Sequence, residues 1–347
     1  MCIECSESFK KRKLLFQYNG VVLEKCDVEF LEYWERLLEG EQIPVMDIHN
    51  WDFGFTHEGN RIITLRLHYH TRLNVLPESI GKLTKLRELN LMDNMFSTLP
   101  ESIGKLTNLR ELNLMDNLFS TLPESIGKLT NLRELVLDSN QFTFFPVIIE
   151  KLTKLRDLHL SANKLTVIPE SIGDLTSLEE IGLGDNQLVS LPENIGDLIK
   201  LEALYLYNNK LTILPESIVN LANLNDLDLS ENKLTSLPES IGILNNLRGI
   251  SLKNNQLTSL PETIGDLTNL EYLGLGNNQL NVLPESIGNL LNLKVLNLSG
   301  NKLTRLPESV GNLTNLTELN LEDNQLINLP ASIRNLTKTK IYLDKLD

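Results

Sequence analysis

A chain of 347 residues with an apolar fraction of 41% has a globular composition, and no stretch of it approaches the roughly 20 consecutive apolar residues that cross a bilayer. Its 46 acidic residues against 32 basic ones give a net charge of −14; a surface of that sign repels phosphate backbones, so neither a membrane span nor a nucleic-acid partner is expected. All three cysteines, Cys2, Cys5 and Cys26, lie in the first 26 residues, which fits free thiols in a reducing compartment better than a disulfide framework.

The chain opens on MCIECSESFKKRK, polar and without the apolar core of a secretory signal, so a cytoplasmic address is expected. Cys2-x-x-Cys5 would make half a zinc site with Cys26 and His49 or His57, but no second CxxC exists; no metal is assigned. Between Leu14 and Lys25 the Asn19-Gly20 pair separates two apolar runs, the pattern of a hairpin whose two turn positions both take positive φ. Asp27 then stands where it would cap a helix over 28–39, in which Phe30, Leu31, Trp34, Leu37 and Leu38 recur at helical spacing and after which Gly40 ends the run. Trp51, Phe53 and Phe55 alternate as a strand does, into a turn at Glu58-Gly59-Asn60. Residues 1–61 therefore read as an N-terminal cap, because the first layer of a stacked array otherwise faces water.

From Ile62 onward the chain is periodic. Pro77, Pro100, Pro123, Pro146, Pro169, Pro192, Pro215, Pro238, Pro261, Pro284, Pro307 and Pro330 stand 23 residues apart without interruption. A fixed period of this length is the signature of a solenoid. Each unit carries L-x-x-L-x-L-x-x-N-x-L, as in Leu201, Leu204, Leu206, Asn209 and Leu211. In L-x-L the two leucines point to one side of a strand and the residue between them to the other, so stacked units make a parallel sheet with a leucine interior and a variable face. Asparagine sits where the chain leaves the strand and can both donate to and accept from backbone groups left open by the bend. In L-P-E-S-I-G the proline presets a short helical turn, the isoleucine packs inward, and the glycine ends the turn. Sheet strands at roughly 4.8 Å on one wall and wider turns on the other curve the array, with the sheet concave.

This pattern resembles the leucine-rich repeat, and eleven units from Leu86 to Leu326 match it. The 23-residue LPxxIGxL type is similar to that of the intracellular Ras-binding scaffolds and of many prokaryotic proteins. The resemblance implies an α/β repeat solenoid, a horseshoe with a concave parallel sheet and short helical turns outside. It further implies signalling adaptors, with a small GTPase as a partner, and no catalytic residues. The repeats run over 62–330. Residues 331–347 decay into a closing unit, in which Ile341, Leu343 and Leu346 are expected to cover the last layer.

Asp157, His159 and Ser161 alternate on one strand, but alternate residues stand about 7 Å apart and no oxyanion element accompanies them, so no catalysis is assigned. His68 and His70 share a face without an evident acidic third ligand. What remains is a binding surface. The sheet columns start with an acidic stripe, Glu88, Glu111 and Glu134, adjoined by Arg87, Arg110 and Arg133, which would neutralise much of it. They lead to an aromatic centre where His159, Tyr205, Tyr207, Asp228, Lys253 and Tyr272 are the expected partner-binding residues, with Gly182, Gly184, Gly274 and Gly276 leaving room beside them. In the unit reading FTFFPVIIEKL, Phe144, Val147 and Ile148 replace polar residues, which makes either a local repacking or a second contact patch on the outer wall. The sequence thus predicts a monomeric, non-catalytic protein-binding scaffold without cofactor. A secreted or surface-exposed adhesin or effector is the alternative.

Overall fold

The computed structural model describes residues 15–38, 43–46, 53–68 and 74–344. The chain divides into two compact units, 1–140 and 141–347, each described by itself. Cys2, Cys5, Gly40, His49, Trp51, His70, Leu73 and Leu346 lie outside the described residues.

The first unit begins with the antiparallel hairpin β1 (Leu15–Tyr18) and β2 (Val21–Glu24). Its turn has φ of 46° at Asn19 and 84° at Gly20, the left-handed pair that an Asn-Gly turn requires. Helix α1 (Lys25–Leu37) follows at once and buries Val28, Phe30, Leu31 and Trp34. Asp27 does not cap it. The helix starts two residues earlier, and the fully buried Asp27 carboxylate accepts from Arg61 Nε at 3.1 Å and from the Ile62 backbone N–H at 2.8 Å. A buried carboxylate must find a cation and donors, and here it finds them on the strand packed beside the helix, so it ties the two elements together.

That strand, β4 (Arg61–Arg66), pairs antiparallel with β3 (Gly54–Glu58) and parallel with β5 (Glu88–Asn90), which is followed in parallel by β6 (Glu111–Asn113) and β7 (Glu134–Val136). In the second unit the parallel strands are β8 (Asp157–His159), β9 (Glu180–Gly182), β10 (Ala203–Tyr205), β11 (Asp226–Asp228), β12 (Gly249–Ser251), β13 (Tyr272–Gly274), β14 (Val295–Asn297), β15 (Glu318–Asn320) and β16 (Lys340–Tyr342). Equivalent residues of successive repeats stand side by side, so the register puts Leu204 beside Leu227 and Tyr205 beside Asp228. The inward leucines, such as Leu204 and Leu206, are fully buried. Each contributes roughly 1.5–3 kcal/mol.

The asparagine column does more than close its own bend. The Asn232 amide donates to Leu229 O and Ser230 O at 3.1 Å, and also to Leu206 O of the preceding repeat at 2.9 Å, while its Oδ1 accepts from the Leu211 N–H at 3.0 Å. One side chain thereby fastens two turns. The residue before each of these asparagines is left-handed whatever its type, with φ of 53° at Ala162, 56° at Glu231 and 52° at Asp116.

On the opposite wall each proline precedes a short 3-10 turn, such as Glu101–Lys105 or Glu216–Asn220. Where such a turn has a glycine, as Glu101–Lys105 does, the glycine does not terminate it; it lies inside, and a Cβ at Gly104 would come within 2.7 Å of Ser125 Cβ in the next repeat. Glycine is therefore there for the close approach of stacked turns. The same approach buries the serine before isoleucine in two of the turns, 5% exposed at Ser102 and 2% at Ser125, and half-buries it in most others. Two further ladders join the turns. Glutamates accept from backbone N–H groups one repeat on, as Glu78 does from Ser102 at 3.2 Å and Glu308 from Ser332 at 3.1 Å. Exposed asparagines donate to the preceding repeat, as Asn108 does to Thr84 O and Asn223 to Ile199 O, both at 2.8 Å. At the far end Ile341 and Leu343 are only half-buried.

Candidate functional site

In the second unit the outward residues of β8 to β13 form two rows. One reads Asp157, Glu180, Ala203, Asp226, Gly249, Tyr272; the other reads His159, Gly182, Tyr205, Asp228, Ser251, Gly274. Just beyond the strands stand Ser161, Gly184, Tyr207, Ser230, Lys253 and Gly276. The register therefore places His159, Tyr205, Asp228 and Tyr272 on one sheet face, with Tyr207 and Lys253 just past the ends of β10 and β12.

Tyr205 and Tyr207 are half-buried on either side of the inward Leu206. A Cβ at Gly184 would fall inside the Tyr207 ring, and one at Gly274 would meet the Tyr272 hydroxyl at 2.7 Å. These two glycines are thus seats already taken by tyrosines, not open room, because a ring standing on a strand of small residues lies down over the glycine beside it. His159 likewise lies over Gly182, where an added Cβ would sit 3.0 Å from Nδ1, and its Nε2 is 3.9 Å from a Glu180 carboxylate oxygen. Lys253 is exposed, and Tyr272 is 40% exposed.

The face is electrostatically unbalanced. Burial, then Asp228, holds the Asp226 carboxyl above the usual range; burial, then Glu180, does the same for Asp157. Burial followed by Glu180, Asp226 and Asp228 pushes up the Tyr205 phenol, and burial followed by Asp228 pushes up that of Tyr272. Asp228 accepts from the Ser230 N–H at 2.9 Å and its hydroxyl at 2.6 Å. Among the described residues neither Asp226 nor Asp228 has an ion pair.

The acidic stripe of the first unit differs. Glu88, Glu111 and Glu134 are in register, and Glu111 is held above its usual range by burial and then by Glu88 and Glu134. The cation that answers Glu88 is Arg66 of β4, at 2.6 Å and largely buried, whereas Arg87 reaches Glu58 at 2.6 Å. Arg66 shares the outer row with Asn90 one strand over, so it points along the sheet face.

The apolar patch needs a correction. Phe144 and Val147 stand 79% and 61% exposed, but Ile148 is 7% exposed. It occupies the serine position that the stacking of turns buries, so the polar residues found there in other repeats misled the sequence reading. Among the described residues no group of three His, Cys, Asp or Glu is placed to hold a metal. Cys26 donates to Asp27, and burial pushes its thiol up to about 11. Among the described residues no helix is long and apolar enough to cross a membrane.

The profile of the leucine-rich repeat region family matches residues 60–141, 147–229, 190–273 and 262–341. The chain belongs to that family. Among solved structures, a leucine-rich-repeat protein of Leptospira interrogans is similar at 36% identity over 81% of this chain and 83% of that one, with a TM-score of 0.60. An internalin of Listeria monocytogenes, at 22% identity over 92% of this chain and 96% of that one and a TM-score of 0.66, shows the likeness of fold alone. The Arabidopsis receptor kinase HAESA, solved in complex with the peptide hormone IDA and the co-receptor SERK1, is 31% identical over 80% of this chain with a TM-score of 0.67. The match takes in 48% of that chain, so this leucine-rich-repeat array spans about half of it. No curated protein matches the sequence.

Proposed function

We propose that this leucine-rich-repeat protein is a non-catalytic scaffold that binds a protein partner on the sheet face of residues 141–347, centred on Tyr205 and Tyr207. The observation that carries the reading is the replacement, on β10 to β13, of repetitive outward residues by tyrosines and unpaired aspartates for which the interior of the repeats has no use. A half-buried aromatic that already lies over a glycine, as Tyr207 does over Gly184, has less side-chain freedom to lose on contact, which suits an interface anchor. The peptide held by HAESA supports a peptide or protein as the class of partner. The proposal includes a cytoplasmic address and monomeric state and, from the repeat type alone, a small GTPase as one partner to try. Capture from native cytosol by the parent and by Tyr205→Ala/Tyr207→Ala tests it. A protein retained by the parent and lost from the folded variant supports the reading, and equal retention overturns it.

A further inference from the structure

We propose that Gly249 floors a seat for one arginine or lysine side chain of the partner, so that the segment docking on this face is basic. This deepens the sheet-face reading above and rests on it. Gly249 stands between Asp226 and Tyr272 in one outward row, and Ser251 stands between Asp228 and Gly274 in the next. A Cβ added at Gly249 would meet nothing within 4 Å except Asp226, with Oδ1 at 3.0 Å. Gly184 and Gly274 are covered by rings; no ring covers Gly249, and the Asp226 carboxylate is its one close neighbour. One side is the Asp226 and Asp228 pair, and the other is Tyr272 one strand over, whose hydroxyl leans over Gly274.

Charge decides the occupant. From β8 to β13 the two rows hold four carboxylates, Asp157, Glu180, Asp226 and Asp228, against His159, with the exposed Lys253 at the rim. The two aspartates alternate on one strand about 7 Å apart and among the described residues have no ion pair, so Asp228 raises the cost of charging Asp226. A neutral side chain docked here would bury that repulsion further, and an acidic one would add to it. A cation removes it. A guanidinium fits best, because its face can stack on Tyr272 while its N–H groups reach the carboxylates.

The test uses the full chain and two fluorescent probe peptides, Gly-Arg-Gly-Arg-Gly and its glutamate counterpart, titrated by anisotropy. The arginine peptide is expected to bind and the glutamate peptide not. Asp226→Asn with Asp228→Asn is expected to weaken binding about tenfold, in line with loss of charge-assisted hydrogen bonds. Gly249→Lys, which puts the chain's own ammonium into the seat, is expected to do the same. Glu318→Gln with Glu322→Gln removes as much charge from around β15 and is expected to change affinity less than about twofold. Thermal melts show that each variant is folded. Equal weakening by the two double variants would mean diffuse attraction and overturn the seat, as would parent-like binding by Gly249→Lys. Should Tyr205→Ala/Tyr207→Ala lose a captured partner while the arginine peptide fails to bind the parent, the seat is wrong and the sheet-face reading stands.

Discussion

On β5 and β6 the outward residues repeat as Glu88 and Asn90, then Glu111 and Asn113, and Arg66 closes on Glu88 at 2.6 Å. On β10 to β13 the same positions read Ala203 and Tyr205, Asp226 and Asp228, Gly249 and Ser251, Tyr272 and Gly274, and among the described residues nothing basic closes on the aspartates. Beneath both faces the interior is the same, with fully buried leucines and an asparagine bonded into two successive turns. Positions that stack are fixed by their neighbours one repeat away. Outward positions take no part in that stacking, so on β10 to β13 they can depart from the repeat without disturbing it.

If the interiors are equivalent, equivalent losses should cost the same. Asn117→Ala in the first unit and Asn232→Ala in the second each orphan backbone groups of two turns, and each is expected to cost about 3 kcal/mol by chemical denaturation. A difference above about 1 kcal/mol would break the equivalence. The contrast between stacked and outward positions holds even within one turn: Ile148→Ser is expected to cost about 2–3 kcal/mol, whereas Val147→Ser beside it should stay within about 0.5 kcal/mol. A smaller effect runs the other way. Ala162 is left-handed without the local hydrogen bonding of Asn or Asp, so Ala162→Gly is expected to gain about 0.5 kcal/mol in melting experiments.

The smallest effect separates the two faces. Asp226 and Glu111 are both held above their usual range, mainly by burial and then by like charges. A carboxyl with a raised folded value opposes folding when ionised; that penalty sets in as pH rises through the raised value and vanishes below the ordinary ones, 3.8 and 4.5. Asp226→Asn and Glu111→Gln should therefore each stabilise by a few tenths of a kcal/mol at pH 7 and by nothing near pH 3. Only Asp226→Asn should weaken partner binding.

The repeat period, the inward leucines and the in-register sheet were legible in the sequence because each follows from one residue type recurring at one spacing. The left-handed column was not, since Asp, Ser, Ala, Asn and Glu all occupy it and the backbone alone defines it. The burial of Ser102, and hence of Ile148, depends on how closely the next turn approaches, which no single repeat encodes. Asp27 looked like a cap because its partner Arg61 lies 34 residues away. The alternation of residues on a strand was enough to put His159, Tyr205, Asp228 and Tyr272 on the outward rows of the second unit. That rings cover Gly184 and Gly274 but not Gly249 depends on ring rotamers, which spacing does not carry.

Partner binding is proposed to centre on the tyrosines of the second unit and not on the acidic stripe of the first. Calorimetric titration of the captured partner against Tyr205→Ala/Tyr207→Ala and against Glu88→Lys/Glu111→Lys/Glu134→Lys compares the two directly. The account predicts that the tyrosine variant loses about 2 kcal/mol or more while melting like the parent, and that the charge reversal changes affinity less. Parent-like affinity in the tyrosine variant, with binding abolished by the charge reversal, would place the interface on the first unit and contradict it.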